Sequence, residues 1–363
     1  MAFICPVCSN SDKDYFFYIN DKVCCRKCIS FIGEKADKEY VITPGYYTLN
    51  YDLTKLQRDA SDFILKNISI GKDCAINAVC GAGKTEIIYD CLKYCLNNKL
   101  KVGIAIPRKD VVIELHQRLA KDFNVNVIAV YGGNNKTLEG DIIVFTTHQA
   151  FRYIEYFDVL IIDEVDAFPY KDNEQLKQIV KRCGKNFVYL SATMPKYIEN
   201  DREIPKFYLN RRYHGKDLPI PKCIKTFFFA STLKRILKRY KDNVVIVYFP
   251  TIKMQLKISR KIKFDYLINS KTNDREFVMS KIKSMCKGVV FATTVLERGI
   301  TIKNVQVIVY NADNALFDKD ALIQISGRVG RNKDFPSGDI FFICKIKNMS
   351  IKGAINTLKK YNE

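Results

Sequence analysis

The chain has 363 residues, 47% of them hydrophobic, enough to bury two cores of ordinary size and little more. No apolar run approaches the roughly 20 residues that span a bilayer and no secretory leader opens the chain, so a soluble cytoplasmic protein is expected, with its thirteen cysteines as thiols. The net charge of +20 is unevenly placed: residues 1–210 hold 28 Lys and Arg against 27 Asp and Glu, whereas 211–363 hold 31 against 12, which favours a polyphosphate partner for the second part.

Five cysteines fall in the first 28 residues. Cys5-x-x-Cys8, sixteen residues, then Cys25-x-x-Cys28 is a spacing that suits tetrahedral zinc, because each tight turn supplies two thiolates. Cys24 adjoins Cys25, but the two-residue gap to Cys28 favours Cys25 as the ligand. Four thiolates leave no open coordination position, so this Zn²⁺ is expected to be structural, stapling a segment too short to fold on its own core. Residues 1–50 are accordingly expected to form a zinc module and its lead-in.

From residue 51 to 210, unbroken apolar runs at Cys74–Val79, Val102–Ile106, Ile142–Phe145, Val159–Ile162 and Phe187–Leu190 alternate with helical stretches. Short continuous runs of this kind predict buried parallel strands joined by helical crossovers. The same grammar restarts after the Pro-bearing stretch Asp217–Pro221, with strands predicted at Val244–Phe249, Val289–Ala292, Val305–Tyr310 and Ile340–Ile343. Two α/β lobes, 51–210 and 211–363, are expected, the second strongly basic.

Ala78-Val79-Cys80-Gly81-Ala82-Gly83-Lys84-Thr85 follows the first predicted strand and is expected to open a helix, the setting of a phosphate loop. Gly81 and Gly83 let backbone amides turn toward phosphates, Lys84 is placed to meet the β/γ oxygens of ATP, and Thr85 to ligate Mg²⁺. Asp163 and Glu164 end the strand Val159–Ile162, one carboxylate for the metal ion and the other for the attacking water. Arg328 and Arg331, three apart, are expected on one helical face, where they can stabilise transition-state charge across the cleft between the lobes. Ser191 and Thr193, beside the carboxylate strand, and Gln324, which begins the arginine motif, are candidates for coupling hydrolysis to motion.

A second set suits phosphate and sugar contacts along single-stranded DNA: Pro107 and Arg108, Gly132 and Gly133, Thr146, Thr147 and His148, and Thr293 with Thr294. Glu297, shortly after the same strand of the second lobe, is assigned to the nucleotide. Taken in order, these motifs read as an ATP-driven nucleic-acid motor. A zinc-bearing adaptor with a dead ATPase loses ground because Lys84, Thr85, Asp163, Glu164, Arg328 and Arg331 are all present.

The run of motifs resembles superfamily 2 helicases. Within them, Ala78–Glu86, Pro107-Arg108, Thr146–Gln149, Asp163–Tyr170, Arg212–Lys216 and Leu296–Gly299, with the four-cysteine cluster, look like the ComFA family of bacterial competence ATPases. The resemblance implies two RecA-like lobes, with Gln57 as the adenine-reading glutamine. It also implies a translocase that drives incoming single-stranded DNA from the cytoplasmic face, peripheral to a membrane uptake channel and in company with other competence proteins. A duplex-unwinding restart or repair helicase is the competing reading, and such enzymes carry added DNA-binding domains that this length does not accommodate.

Overall fold

The computed structural model describes residues 3–19, 22–31, 33–293 and 302–363. It divides into two compact units, Met1–Ala78 with Gly83–Leu209, and Val79–Ala82 with Asn210–Glu363.

The first unit opens with an antiparallel hairpin, β1 (Phe16–Ile19) and β2 (Lys22–Cys25). Helix α1 (Lys55–Ser69) starts at Thr54 through a capping box, in which the Thr54 hydroxyl accepts from Gln57 N and Gln57 Oε1 accepts from Thr54 N at 3.0 Å. There follow β3 (Cys74–Ala78), α2 (Tyr89–Asn97), β4 (Val102–Ile106), α3 (Lys109–Asp122), β5 (Val127–Val130), β6 (Ile142–Thr146), β7 (Phe157–Asp163), α4 (Glu174–Lys181), β8 (Gly184–Ser191), α5 (Lys196–Glu199) and β9 (Lys206–Leu209). Strands β3 to β9 make one seven-stranded sheet in the order β5-β6-β4-β7-β8-β3-β9, every pairing parallel. β3, β4 and β6 are buried along their whole length, as strands covered on both faces must be.

The cysteine module is built into this unit. Its four cysteines share one buried cluster with Phe151, Tyr153 and Cys183. Phe31 lies 6.0 Å from the Phe151 ring and stacks at 6.5 Å on His148. Arg152 Nη1 donates to Glu34 O at 2.8 Å, and Arg182 Nη1 donates to Cys5 O at 3.3 Å and also to Pro6 O. A Cβ at Gly33 would fall 2.9 Å from the Arg152 guanidinium, so the chain passes this arginine where only glycine fits without displacing it.

The second unit comprises β10 (Lys222–Lys225), α6 (Phe229–Arg239), β11 (Val244–Tyr248), α7 (Ile252–Ser259), β12 (Tyr266–Ile268), α8 (Arg275–Lys283), β13 (Gly288–Ala292), β14 (Val305–Tyr310), α9 (Lys319–Ser326), β15 (Ile340–Cys344) and α10 (Met349–Asn362). Its six strands run β10-β15-β14-β11-β13-β12, again all parallel. Both sheets thus have the architecture expected of the two lobes.

One local expectation holds with a change of helix type in its first turn, and a second fails. The phosphate loop leads into a 3-10 turn, Glu86–Ile88, before α2 begins at Tyr89. Here Glu86 is drawn to Arg118 Nη2 at 2.6 Å and to the Tyr51 hydroxyl at 3.0 Å. Arg328 and Arg331 do not ride on a helix: α9 stops at Ser326 with Gly327 as its cap, and Gly330 at φ 71 turns the chain away. The sequence Gly327-Arg328-Val329-Gly330 carries two glycines in four positions, and a left-handed glycine ends rather than continues a helix.

Candidate functional site

The register of the first sheet brings the candidate residues to one edge. β7 pairs with β8 as Asp163↔Leu190, and β3 pairs with β8 as Asn77↔Ser191, so Asp163, Ser191 and the start of the loop after Ala78 finish side by side. The carboxyl ends of parallel strands are where α/β sheets place their ligands. On the other half of the same edge, β4, β6 and β5 finish together, delivering Arg108, His148 and Gly132-Gly133.

In the first half, Gly81 and Gly83 take φ of 84 and 86, the left-handed region that glycine enters at little cost. A Cβ at Gly83 would fall 2.2 Å from Gln57 Nε2 and 3.0 Å from Glu86 Oε2. The turn is therefore closed to any larger residue, and it lies against the amide of Gln57, whose oxygen is used in the cap of α1. Lys84 Nζ stands 3.5 Å from Asp163 Oδ1. The same oxygen accepts the Glu164 amide at 2.8 Å. Burial pushes the Asp163 carboxyl up, against the pull of Lys84. Glu164 adopts φ 58, a strained conformation for a side-chain-bearing residue of the kind that clusters at functional sites. Val165, Ala167 and Tyr170 of the same turn are buried, as is Asp166, while Asp163 and Glu164 are half-buried. A half-buried lysine–carboxylate pair next to a glycine turn and a second carboxylate is a donor set that fits Mg²⁺ and a nucleoside triphosphate.

Asp166 lies within the acidic motif of the sequence but has no role assigned there. It is 4% exposed and accepts both Ser191 Oγ at 2.8 Å and Thr193 Oγ1 at 2.7 Å. Ser191 Oγ also accepts from Thr193 N and lies 2.8 Å from Thr193 O, which competes with Asp166 Oδ1 for its single proton. The two hydroxyl residues are thus joined to the acidic turn through its fourth residue. The signal was the Asp163-x-x-Asp166 spacing, which places a further carboxylate in the turn that follows β7.

In the second half, Gly132, Gly133 and His148 are exposed, and Arg108 is half-buried at the start of α3. Pro107, Thr146 and Thr147 are buried, with Thr147 Oγ1 lacking a hydrogen-bond partner among the described residues. Of this set the backbone turns, the arginine and the imidazole face outward.

In the second unit, Cys80 Sγ donates to Gln324 Oε1 at 3.0 Å. Arg328 is buried, and Arg331 Nε donates to Gly327 O at 2.9 Å. Thr293 is buried at the end of β13, with its amide on Ile268 O. Thr294 and Glu297, with Arg298 and Gly299, lie outside the described residues.

Cys5, Cys8, Cys25 and Cys28 converge with all four Sγ atoms within 4.8 Å of one another, Cys5 to Cys28 at 3.4 Å and Cys8 to Cys25 at 3.8 Å. Zinc–sulfur bonds of about 2.3 Å in a tetrahedron put sulfurs about 3.8 Å apart, so the cluster has the size of a zinc site. Burial pushes the Cys8 thiol up to about 11, a load that a cation would lift. Cys24 stands outside the group and is half-buried on β2. Asn10, also missed in the sequence, is buried and sends Nδ2 to Cys25 Sγ at 3.8 Å while its Oδ1 accepts from Lys27 Nζ at 2.8 Å.

Residues 54–200 match the DEAD/DEAH box helicase family and residues 230–333 the helicase conserved C-terminal domain. The competence protein ComFA of Streptococcus pneumoniae is 31% identical over 389 residues, covering 99% of this chain and 90% of that protein. The chain belongs to the ComFA family. ComFA of Bacillus subtilis is likewise 31% identical, over 99% of this chain and 85% of its own length. Among solved structures, the DEAD-box helicase Mss116 bound to ssRNA and UDP-BeF superposes with a TM-score of 0.63 at 17% identity, over 81% of this chain and 70% of that one. Dbp5 of S. cerevisiae bound to RNA and ADP BeF3 gives 0.60 at 15% identity, over 85% and 91%. These likenesses establish two RecA-like lobes. With the ComFA match and both helicase regions, they make this protein a superfamily 2 helicase-type ATPase. No helix among the described residues is long and apolar enough to cross a membrane.

Proposed function

We propose that this protein is an ATP-driven translocase on single-stranded DNA that works in DNA uptake during natural transformation. The observation that carries the reading is the pairing of Lys84 Nζ with Asp163 Oδ1 at 3.5 Å at the end of β7, with Asp166 of the same turn tied to Ser191 and Thr193. ATP with Mg²⁺ would supply the cleavable phosphoanhydride. Lys84 is assigned to the phosphates, with the backbone amides of the Gly81–Gly83 turn. Thr85 and Asp163 are assigned to the metal ion, Glu164 to orienting and deprotonating the water, and Arg328 and Arg331 to the charge that develops on the transferred group. Gln57 and Glu297 are assigned to the nucleotide. Single-stranded DNA is assigned to Arg108, Gly132-Gly133 and His148, to the backbone at Pro107, Thr146 and Thr147, and to Thr293-Thr294. Structural Zn²⁺ is assigned to the four cysteines.

DNA rather than RNA is chosen because the curated relatives are competence proteins, while the +19 carried by residues 211–363 favours a polyphosphate of either kind. The same relationship supports a place at the cytoplasmic face of the membrane uptake channel, beside other competence proteins. The test is displacement of streptavidin from end-biotinylated single strands. ATP-dependent displacement from DNA supports the reading, and displacement from RNA alone would replace it with an RNA motor.

A further inference from the structure

The arginine-bearing turn after α9 is held by the segment Arg212–His214. Arg212, only 2% exposed, places its guanidinium among backbone carbonyls: Nη1 donates to Val329 O and Gly330 O at 2.6 Å each, Nη2 to Gly327 O at 3.2 Å, and Nε to Cys80 O at 3.1 Å. Among the described residues no carboxylate lies within salt-bridge distance of it. The next two residues continue the pattern. The Tyr213 hydroxyl donates to Arg331 O at 3.1 Å, and His214 Nε2 stands 2.9 Å from Gly330 O. Lys216 N donates to His214 Nδ1 at 3.2 Å, which leaves Nε2 as the donor to Gly330.

Three consecutive side chains therefore meet the carbonyls of Gly327, Val329, Gly330 and Arg331. The last carbonyls of a helix and its following turn lack intrahelical partners and carry partial negative charge, so a buried cation is stabilised there without a carboxylate. Burial, with Arg331 nearby, pulls the Arg212 guanidinium down to about 10, which still leaves it charged at neutral pH. Gly330 fits the same arrangement: at φ 71, a Cβ there would fall 2.8 Å from Arg212 Nη1 and 2.5 Å from Pro336 O.

We propose that Arg212, with Tyr213 and His214, is a clip that sets the conformation of the Gly327–Arg331 turn, making Arg212 a positioning residue for Arg328 and Arg331. The inference rests on the assignment of those two arginines to ATP hydrolysis. Arg331 Nε and Arg212 Nη2 share one acceptor, Gly327 O, so loss of the clip releases the carbonyl that orients Arg331. A guanidinium displaced by about 1 Å from its productive position loses on the order of a hundredfold in rate. The planar fork that reaches several carbonyls at once is a property of arginine that lysine does not share.

The test is steady-state ATP hydrolysis by the full-length chain with single-stranded DNA, together with the Kd of a fluorescent ATP analogue. Arg212→Lys is expected to lower kcat on the order of ten- to a hundredfold, with the analogue's Kd within about threefold of the parent. Gly330→Ala, which leaves the arginine in place and obstructs the clip, is expected to give the same split. It serves as the independent variant should Arg212→Lys fail to fold. Folded Arg212→Lys and Gly330→Ala proteins with kcat within twofold of the parent overturn the clip. An equal loss of nucleotide affinity and kcat overturns it too, since it would place Arg212 on the nucleotide itself. If the parent hydrolyses no ATP, it is the proposed function that fails, and the two outcomes are separate.

Discussion

Replacing Thr193 by valine keeps the side chain's shape and removes one hydroxyl. That hydroxyl donates to Asp166 Oδ2 at 2.7 Å, while Ser191 Oγ holds Oδ1 at 2.8 Å, and all three residues are buried. A hydrogen bond to a charged acceptor contributes about 1.5–3 kcal/mol. For a unit of this size each kcal/mol shifts the thermal midpoint by about 2–4 °C, so Thr193→Val should melt about 3–12 °C lower. Scanning calorimetry of the parent, Thr193→Val, Asp166→Asn and the double variant closes a cycle. Because both changes remove the same bond, the double variant should lose less than the sum of the singles, by about 0.5–3 kcal/mol. If the network couples hydrolysis to movement, Thr193→Val should also keep most of its ATP turnover and lose most of its streptavidin displacement. Strict additivity in the cycle, or an unchanged midpoint for Thr193→Val, would refute the reasoning.

Serine at Cys25 should release zinc, measured by metal analysis, whereas serine at Cys24 should retain it, because Cys24 stands outside the sulfur cluster. Since Phe31 and the backbone at Glu34 pack on Phe151 and Arg152, the Cys25→Ser protein should also show faster proteolysis within residues 146–156. Arg331→Ala should bind nucleotide and DNA yet turn over about a thousandfold more slowly, read from single-turnover hydrolysis. Between β14 and α9 the connection is Asn311–Asp318, too short for a protruding two-stranded pin, so a tailed duplex of about 20 base pairs should unwind far more slowly than streptavidin is displaced.

The buried parallel strands were legible because a strand covered on both faces must be apolar throughout, as β4 and β14 are. Edge strands were not. β9, β10 and β12 are edge strands with only half-buried or exposed residues along most of their length, and Lys206–Leu209 and Lys222–Lys225 carry apolar runs of no more than three residues. The four cysteines announced themselves by spacing, whereas Asn10 did not, since its relation to Cys25 exists only once the two turns fold together. Arg212 was visible as part of a family-like segment, but its work depends on carbonyls more than a hundred residues away, and backbone acceptors leave no mark on side-chain pattern. The end of α9 was readable in principle from Gly327 and Gly330, and the regular spacing of the arginines hid it.

The central claim is that the Lys84, Asp163 and Glu164 constellation hydrolyses ATP in response to single-stranded DNA. Steady-state phosphate release with and without single-stranded DNA, for the parent and Glu164→Gln, tests it most directly. Turnover in the parent should rise with DNA, and Glu164→Gln should bind nucleotide while releasing almost no phosphate. Parent turnover indifferent to DNA, or near-normal phosphate release by Glu164→Gln, would contradict the account.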